Sequence, residues 1–253
     1  MSARLPLRLL GPLALILLAA PFATLIAVTD WHGFALSAGD LAAVGTSLGY
    51  TSVAMVAVIA LGTPLAWWLA RHEFRGKAAA EALVLVALLT PPLALGILLA
   101  SFTGPYSAVG GGLDRLGVSL TNTPGAFVLA QVYGAMPYYV LAARGAFEGV
   151  PGELERIALT LGKEPWQVFL TVTLPMARIG LAAALALAWV RALGEFGTAL
   201  IIAYYPQGIP VKLWVNLQDQ GLGAVYPLLW VFFAAALPLP LWLGMSARRV
   251  IRP

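Results

Sequence analysis

The stretch ELERIALTLGKEPWQVFLTVTLP, residues 153–175, is the polar interval around which the remaining chain is organised. Its charged side chains are Glu153, Glu155, Arg156, Lys163 and Glu164. The early glutamates suit a helix start, because negative charge is stabilised near a helix N-terminus. Gly162 predicts either the end of that helix or a close approach of the backbone, and Pro165 prevents the helix from continuing. Pro175 suits the first turn of the next helix. We therefore predict a short helix outside the membrane, able to serve as a handle for a soluble partner.

The composition of the 253 residues indicates a membrane protein. Hydrophobic residues make up 60% of the chain and charged residues only 10%, against about 25% charged in a typical soluble domain. A chain of this composition cannot bury its apolar surface in one soluble core, so its solvent is a bilayer. The chain has no cysteine, which excludes a disulfide framework and a thiolate metal site.

Six apolar segments are each long enough to cross a hydrocarbon core of ~30 Å as a helix. They are residues 9–29, 41–70, 82–113 with a helix end near Phe102, 116–143 with a helix start near Pro124, 176–203 and 221–247. The first could instead be a signal peptide, but its length of about 20 residues favours an uncleaved span. We predict an all-α membrane protein with one domain, residues 1–253, and a polar loop at 152–175 between spans four and five.

The distribution of basic residues predicts the orientation. With the N-terminus in the cytoplasm, twelve of the 15 basic residues lie on the cytoplasmic side and only Arg115 and Lys212 lie outside. The twelve are Arg4, Arg8, Arg71, Arg75, Lys77, Arg144, Arg156, Lys163, Arg178, Arg248, Arg249 and Arg252. An excess of Lys and Arg marks cytoplasmic loops. We therefore expect both termini and the 152–175 loop in the cytoplasm of a bacterial or archaeal plasma membrane.

The sequence lacks the common catalytic motifs. It contains no HExxH, no GxSxG and no GxxxxGK[ST], so we expect a transport subunit that does not hydrolyse ATP itself. The outer segments are short, so a transporter built on this chain would need a separate protein to collect its solute. Residues 204–223, with Trp214 beside polar side chains, fit either an interfacial segment at the outer surface or a simple linker.

Arg191 and Glu195 are charged residues within the fifth apolar segment. Charges at such positions are costly and usually face protein or a water-filled path. One hypothesis is that Arg191 lines or gates an anion pathway; the alternative is an ion pair that pins the fifth helix in the bundle. The residues are four apart, but Arg before Glu is the less favourable order for a local helical pair. Partners on other helices are therefore a further option.

The 153–175 stretch resembles the cytoplasmic EAA loop of ABC-importer permeases, whose pattern is EAA, three residues, G, nine residues, I, one residue, LP. Gly162, Leu174 and Pro175 have this spacing, and Ala158 fits the second alanine. Arg156 occupies the glutamate position, with Glu155 adjacent. Ile157 and Val172 replace the first alanine and the isoleucine.

Three further stretches are similar to permeases of molybdate, tungstate and sulfate importers. They are TPLAWWLARHEFRGK at Thr63–Lys77, LLTPPLALG at Leu88–Gly96 and RALGEFGTAL at Arg191–Leu200. The sequence after Leu200 departs from the oxyanion pattern. The resemblance covers most of the chain, from about Thr46 to Leu200, and implies the six-helix fold of type I ABC-importer permeases.

The resemblance also implies partners and site residues. In that family the loop forms a coupling helix that docks into a groove on an ATP-binding cassette subunit, which implies coupling roles for Glu155, Ala158, Gly162, Leu174 and Pro175. It implies alternating access by two permease subunits, expected as a homodimer, with an extracytoplasmic solute-binding protein. ATP and Mg would be bound by the partner ATPase, with no cofactor in this chain and no nucleic acid; the remaining surface would contact lipid.

Two alternatives remain at this point. One is an ABC-importer permease for another solute, such as ferric iron, thiamine, a polyamine or a phosphonate. The other is an ion-coupled secondary transporter that uses Arg191 and Glu195. Such a transporter would leave the 152–175 loop unexplained, and it would normally show paired repeats.

Overall fold

The computed structural model describes the backbone of residues 4–251 and the side chains of residues 10–245. All regular secondary structure in this range is helical. The helices are α1 (Arg4–Val28), α2 (Ala38–Arg71), α3 (Lys77–Leu89), α4 (Pro92–Thr103), α5 (Ala108–Arg115), α6 (Pro124–Glu148), α7 (Gly152–Thr160), α8 (Pro165–Val168), α9 (Leu174–Leu193), α10 (Gly197–Ile202), α11 (Ile209–Gln220), α12 (Tyr226–Ala236) and α13 (Pro238–Ile251). A π turn (Phe169–Thr173) joins α8 to α9, and a 3₁₀ turn (Leu222–Ala224) precedes α12. The all-α prediction is confirmed.

Some sequence-based predictions extend beyond the described range. The predicted domain of residues 1–253 includes a few residues at each end that lie outside it. Five of the basic residues that predict the orientation have side chains outside it, namely Arg4, Arg8, Arg248, Arg249 and Arg252.

Five helical stretches are long and apolar enough to cross a membrane: Leu10–Val28, Ala38–Arg71, Pro124–Glu148, Pro165–Leu193 and Leu222–Met245. The predicted third span is a bent pair, in which α3 and α4 meet at 113°. The prediction of one helix continuing through the prolines is wrong, because Pro91 and Pro92 lack N–H groups and the residue before a proline is pushed out of the helical region. Counted as one span, the bent pair brings the total to six.

The core of the bundle is formed where α2, α6 and α9 pack together. Ala54, Ala135 and Ala188, one from each helix, are fully buried, and such small residues let helices in a membrane approach closely. Of the apolar window of α6, 61% is buried, against 6% for α1. Helix α6 is therefore central, and α1 lies at the periphery against α12.

The predicted fifth span, residues 176–203, is wrong at both ends. The helix starts earlier, at Pro165, and α9 ends at Leu193. Gly194 caps the end of α9, and the short helix α10 follows. An added Cβ at Gly197 would lie 2.9 Å from the backbone nitrogen of Leu93. The break after α9 therefore lies directly against the break between α3 and α4.

Residues 204–223 form more than a surface linker. They contain α11, whose Asn216 is buried and donates from Nδ2 to Oδ1 of Asp40 at 2.9 Å. Asp40 also closes the capping box of α2 with Ser37. The contact fixes α11 against the start of α2. No local sequence pattern predicts this contact, because the two residues are 176 positions apart.

Candidate coupling surface and polar cluster

Helix α7 occupies the predicted place in the loop between α6 and α9. Glu153 and Glu155 lie in its first turn, as expected. At its end Gly162 has φ +85°, a left-handed conformation. The N–H of Gly162 donates to the carbonyl of Leu159 at 3.0 Å, and the N–H of Lys163 donates to that of Ala158 at 3.2 Å. This is a Schellman motif, in which glycine meets the need for positive φ without steric strain. Gly162 therefore ends the helix, as predicted.

One face of α7 exposes large apolar side chains. Leu154, Ile157 and Leu161 are 41%, 54% and 78% exposed. Their spacing of three and four residues places them on one side of the helix. No described residue of this chain covers them. A contiguous apolar face on a charged helix is typical of a helix that docks into a groove.

An adjacent face of α7 points into the bundle. Ala158 is 7% exposed, and the Glu155 side chain is 17% exposed. Oε1 of Glu155 accepts from Nη2 of Arg71 at 3.0 Å and from Oγ1 of Thr173 at 2.6 Å. The structure therefore does not bring all the predicted coupling residues to one surface. Glu155 and Ala158 lie on the inner face, and Gly162 is exposed at the helix end.

The last two predicted coupling residues lie in a continuous helix. Pro165 starts it, with a capping box between Glu164 and Gln167, and the π turn carries it into Leu174 and Pro175. Pro175 lies in the first turn of α9, as predicted, but the π turn joins α9 to α8 without a gap, so the predicted restart after a break is wrong. Proline has no N–H and crowds the carbonyl four residues earlier, which the widened π turn before it accommodates.

Leu174 and Pro175 differ in exposure. Leu174 is half-buried, whereas Pro175 is exposed. Leu174 lines an apolar groove of about 820 Å³ between α2, α8 and α9, to which Trp67 and Arg178 also contribute.

Arg191 and Glu195 contact each other directly. Nη1 of Arg191 donates to Oε2 of Glu195. Helix α9 ends at Leu193, so Glu195 is not on the helix and the order rule for helical pairs does not apply. The Glu195 side chain is fully buried, and its Oε1 accepts from the backbone N–H of Thr198 at 2.9 Å. Glu195 thereby neutralises Arg191 and caps the start of α10.

The surroundings of the pair are shaped to fit it. An added Cβ at Gly134 of α6 would lie 2.6 Å from Oε2 of Glu195, so the absence of a side chain there makes room for the carboxylate. The guanidinium carbon of Arg191 lies 5.6 Å from the centre of the Tyr138 ring, a cation–π geometry. Because 22% of the Arg191 side chain stays exposed, the paired guanidinium remains partly accessible.

Two buried polar residues beside this pair were missed by the sequence analysis. Nε2 of Gln131 donates to Oγ1 of Thr51 at 2.7 Å and to the carbonyl of Ala192 at 3.2 Å. These bonds tie α6 to α2 and to the end of α9. The signal in the sequence was a single glutamine within an apolar span, which indicates an internal hydrogen bond in a membrane protein.

The 152–175 loop and the Arg191–Glu195 pair lie at opposite ends of α9. Thr173 and Arg191 are 18 residues apart, which corresponds to about 27 Å along a helix. The described residues contain no group of three metal-ligating side chains. Helix α9 thus connects the two regions.

Comparison with known proteins gives consistent matches. Residues 62–252 match the family described as "Binding-protein-dependent transport system inner membrane component". A relative from Haloferax volcanii, named a probable molybdenum ABC transporter permease protein, is 40% identical over 78% of this chain and 71% of its own length. The molybdenum transport system permease protein ModB of Mycobacterium tuberculosis is 31% identical over 94% of this chain and 91% of its own length.

Solved structures share the fold. A bacterial alginate ABC transporter, solved in complex with an alginate pentasaccharide-bound periplasmic protein, aligns with TM-score 0.75, covering 98% of this chain and 95% of the matched chain. The inward-facing MetNI methionine ABC transporter aligns with TM-score 0.64, covering 83% of this chain and 95% of the matched chain. Both are 18% identical, so they support the fold alone.

Proposed function

The chain belongs to the binding-protein-dependent transport system inner membrane component family, and we propose that this ABC-importer permease carries molybdate or tungstate. The observation that carries the cargo is the agreement among relatives of 31–40% identity, whose names specify molybdenum or molybdate and tungstate. Sulfate has the same charge and tetrahedral shape as molybdate, so it is the natural competitor in a test. Ferric iron, thiamine, polyamines and phosphonates have no support from these relatives.

The exposed face of α7 supports docking to an ATP-binding cassette subunit. Leu154, Ile157 and Leu161 offer an apolar helix face, and a groove on the partner would bury it. Glu153 and Arg156 are exposed beside this face and form a polar rim that can set the register of docking. ATP and Mg would be bound by the partner, and this chain would bind no cofactor.

The proposed orientation puts both termini and α7 in the cytoplasm. Its support is the excess of basic residues on that side of the predicted topology. The opposite side would receive the solute from an extracytoplasmic binding protein. We treat residues 1–253 as one permease domain that pairs with a second copy around a central path and works by alternating access.

We assign the Arg191–Glu195 pair a gating role in that path. A guanidinium already neutralised by a carboxylate binds an anion weakly, so the pair suits a barrier better than a storage site. It holds the break between α9 and α10 while part of Arg191 stays exposed. Replacing Arg191 with Leu should change uptake more than it changes docking of the ATPase. Normal uptake by that variant would exclude the gating role.

The test of the proposed function is reconstitution in proteoliposomes. The permease is co-expressed with its candidate ATPase and binding protein, and uptake of molybdate, tungstate and sulfate is measured with internal ATP. We expect molybdate and tungstate to stimulate ATP hydrolysis and accumulate, and each to compete with the other. Uptake driven by an ion gradient without ATP would instead support the secondary transporter. Uptake of sulfate alone would overturn the proposed cargo and leave the ABC assignment in place.

A further inference from the structure

We propose that Arg71, Glu155 and Thr173, with the Val150 carbonyl, form a rigid link that transmits movement of α7 to α2 and α9 together. We call this set the Glu155 junction. The inference rests on the proposed function, in which α7 is the helix that docks to the ATPase and is moved by it. In this role Glu155 is a positioning residue inside the permease, distinct from the docking face.

The junction joins the ends of three elements. Arg71 is the last residue of α2, and Thr173 is the last residue of the π turn before α9. Nη2 of Arg71 donates to Oε1 of Glu155 at 3.0 Å and to the carbonyl of Val150 at 2.9 Å. One carboxylate on α7 is therefore held from two helices, and the chain just before α7 is held by the same guanidinium. A displacement of α7 must move both helix ends or break these bonds.

The hydroxyl of Thr173 bonds to another element, as those of Thr63 and Thr198 also do. Those of Ser52, Thr103 and Thr171 each donate to the carbonyl four residues earlier. Thr173 instead donates to Glu155, 18 residues away, at 2.6 Å. The π turn ends at this residue, and such turns often lie at functional sites. The Thr173 side chain therefore connects the end of the π turn to α7.

The junction is enclosed, which makes its bonds stronger than surface bonds. The side chains of Arg71 and Glu155 are each 17% exposed. Glu155 and Thr173 border a cavity of about 100 Å³, together with Trp67. Nε1 of Trp67 and Nε of Arg71 are buried donors without a partner among the described residues. Donors are therefore in excess here, so removing the Glu155 charge leaves Arg71 uncompensated.

The ion pair between Lys77 and Glu73 provides the contrast. Glu73 lies in the turn that follows α2, and Lys77 is the first residue of α3. The Glu73 carboxylate is 87% exposed. The pair spans only four residues, and although the Lys77 side chain is 17% exposed, a pair whose carboxylate faces solvent contributes little. Losing it should not affect coupling. Glu73 is therefore a matched control for Glu155 on the same side of the protein.

The experiment measures molybdate transported per ATP hydrolysed in proteoliposomes that contain the complete complex. The variants are Glu155→Gln and Thr173→Val, with Thr173→Ser as the conservative rescue and Glu73→Gln as the control. Glu155→Gln removes the charge that pairs with Arg71 and weakens both bonds to this side chain, whereas Thr173→Val removes one donor. We therefore expect the ratio to fall about tenfold in Glu155→Gln and about threefold in Thr173→Val. Thr173→Ser and Glu73→Gln should keep the wild-type ratio.

Three outcomes separate this inference from the proposed function. If the wild-type complex does not couple ATP hydrolysis to uptake, the proposed function fails and the junction fails with it. If the wild type couples and both junction variants keep the wild-type ratio, only the junction is overturned. If the ratio is kept while thermal unfolding temperature or ATPase binding falls, the junction has only a structural role, and the inference is again overturned. Thr173→Val, close in shape to threonine, keeps the test valid should Glu155→Gln fold poorly.

Discussion

Helix α7 and the break after α9 place charged and apolar side chains in opposite ways. On α7, the charged Glu153 and Arg156 are exposed, and so is the apolar Ile157. At the break, Glu195 is completely buried and its charge is met by Arg191 and a backbone N–H. The exposed apolar face indicates a surface completed by another protein. The buried carboxylate indicates a feature that this chain completes by itself.

The largest expected effect is on the buried side of this comparison. Glu195→Ala leaves Arg191 unpaired and uncaps α10, so we expect a loss of about 3–5 kcal/mol in the free energy of unfolding. Glu153→Ala removes the same charge from an exposed position on α7 and should change stability by less than about 0.5 kcal/mol. Thermal unfolding in detergent checks both. Similar unfolding temperatures for the two variants would show that the buried pair contributes no more to stability than an exposed glutamate.

The second effect is on the exposed side. Ile157→Asp puts a charge in the centre of the apolar face, so we expect affinity for the ATPase to fall about thirtyfold, or ~2 kcal/mol. The unfolding temperature of the isolated permease should not fall, because Ile157 contributes little to its core. Co-purification and titration with the ATPase measure the affinity.

Leu116→Asp is the matched control for that measurement. Leu116 is also strongly exposed but lies at the end of α5, away from α7 in the chain. It should leave ATPase affinity unchanged. An equal loss in both variants would mean that added charge, rather than this particular face, weakens the complex.

The sequence predicted the regions but not which way their side chains point. Span positions and the 152–175 loop follow from apolar runs, and the end of α7 follows from Gly162. The inward direction of Glu155 does not, because its partner Arg71 is 84 residues away. Predicting a contact at that separation needs the packing of α2 against the loop, which no local pattern contains.

The errors in the spans have a common physical origin. Hydropathy continues through Thr90–Pro92 and through Gly194, where the backbone bends. Pro91, Pro92 and Gly194 were visible as signals for a break, but prolines are tolerated in membrane helices when neighbours satisfy the backbone. Here the hydroxyl of Thr198 donates to the carbonyl of Pro92 at 3.0 Å and so ties the start of α10 to the start of α4. Each break supports the other, which a linear scan of the chain cannot detect.

The third effect concerns the fit of Gly134 against the buried Glu195 side chain. Gly134→Ala would place a Cβ 2.6 Å from Oε2 of Glu195, so the carboxylate must shift away from Arg191. We expect a loss of about 1–2 kcal/mol in the free energy of unfolding, within the usual range for overpacking. Gly145→Ala is the control on the same helix, since an added Cβ there meets nothing within 4 Å. A destabilisation by Gly145→Ala as large as that by Gly134→Ala would assign the effect to α6 itself.

The smallest effect separates the shape of α7 from its docking face. Gly162 has φ +85° and an added Cβ would meet nothing within 4 Å, so Gly162→Ala adds backbone strain without a clash. The strain should cost about 1 kcal/mol and fray the end of α7, seen as faster amide hydrogen exchange at Gly162 and Lys163. Gly152→Ala, at the other end of α7, should not change that exchange. A bulky charged residue at Gly162 would mix strain with a changed surface, whereas alanine tests strain alone. If Gly162→Ala weakens ATPase binding as much as Ile157→Asp, the glycine lies in the docking contact itself, because fraying one turn cannot remove the apolar face centred on Ile157.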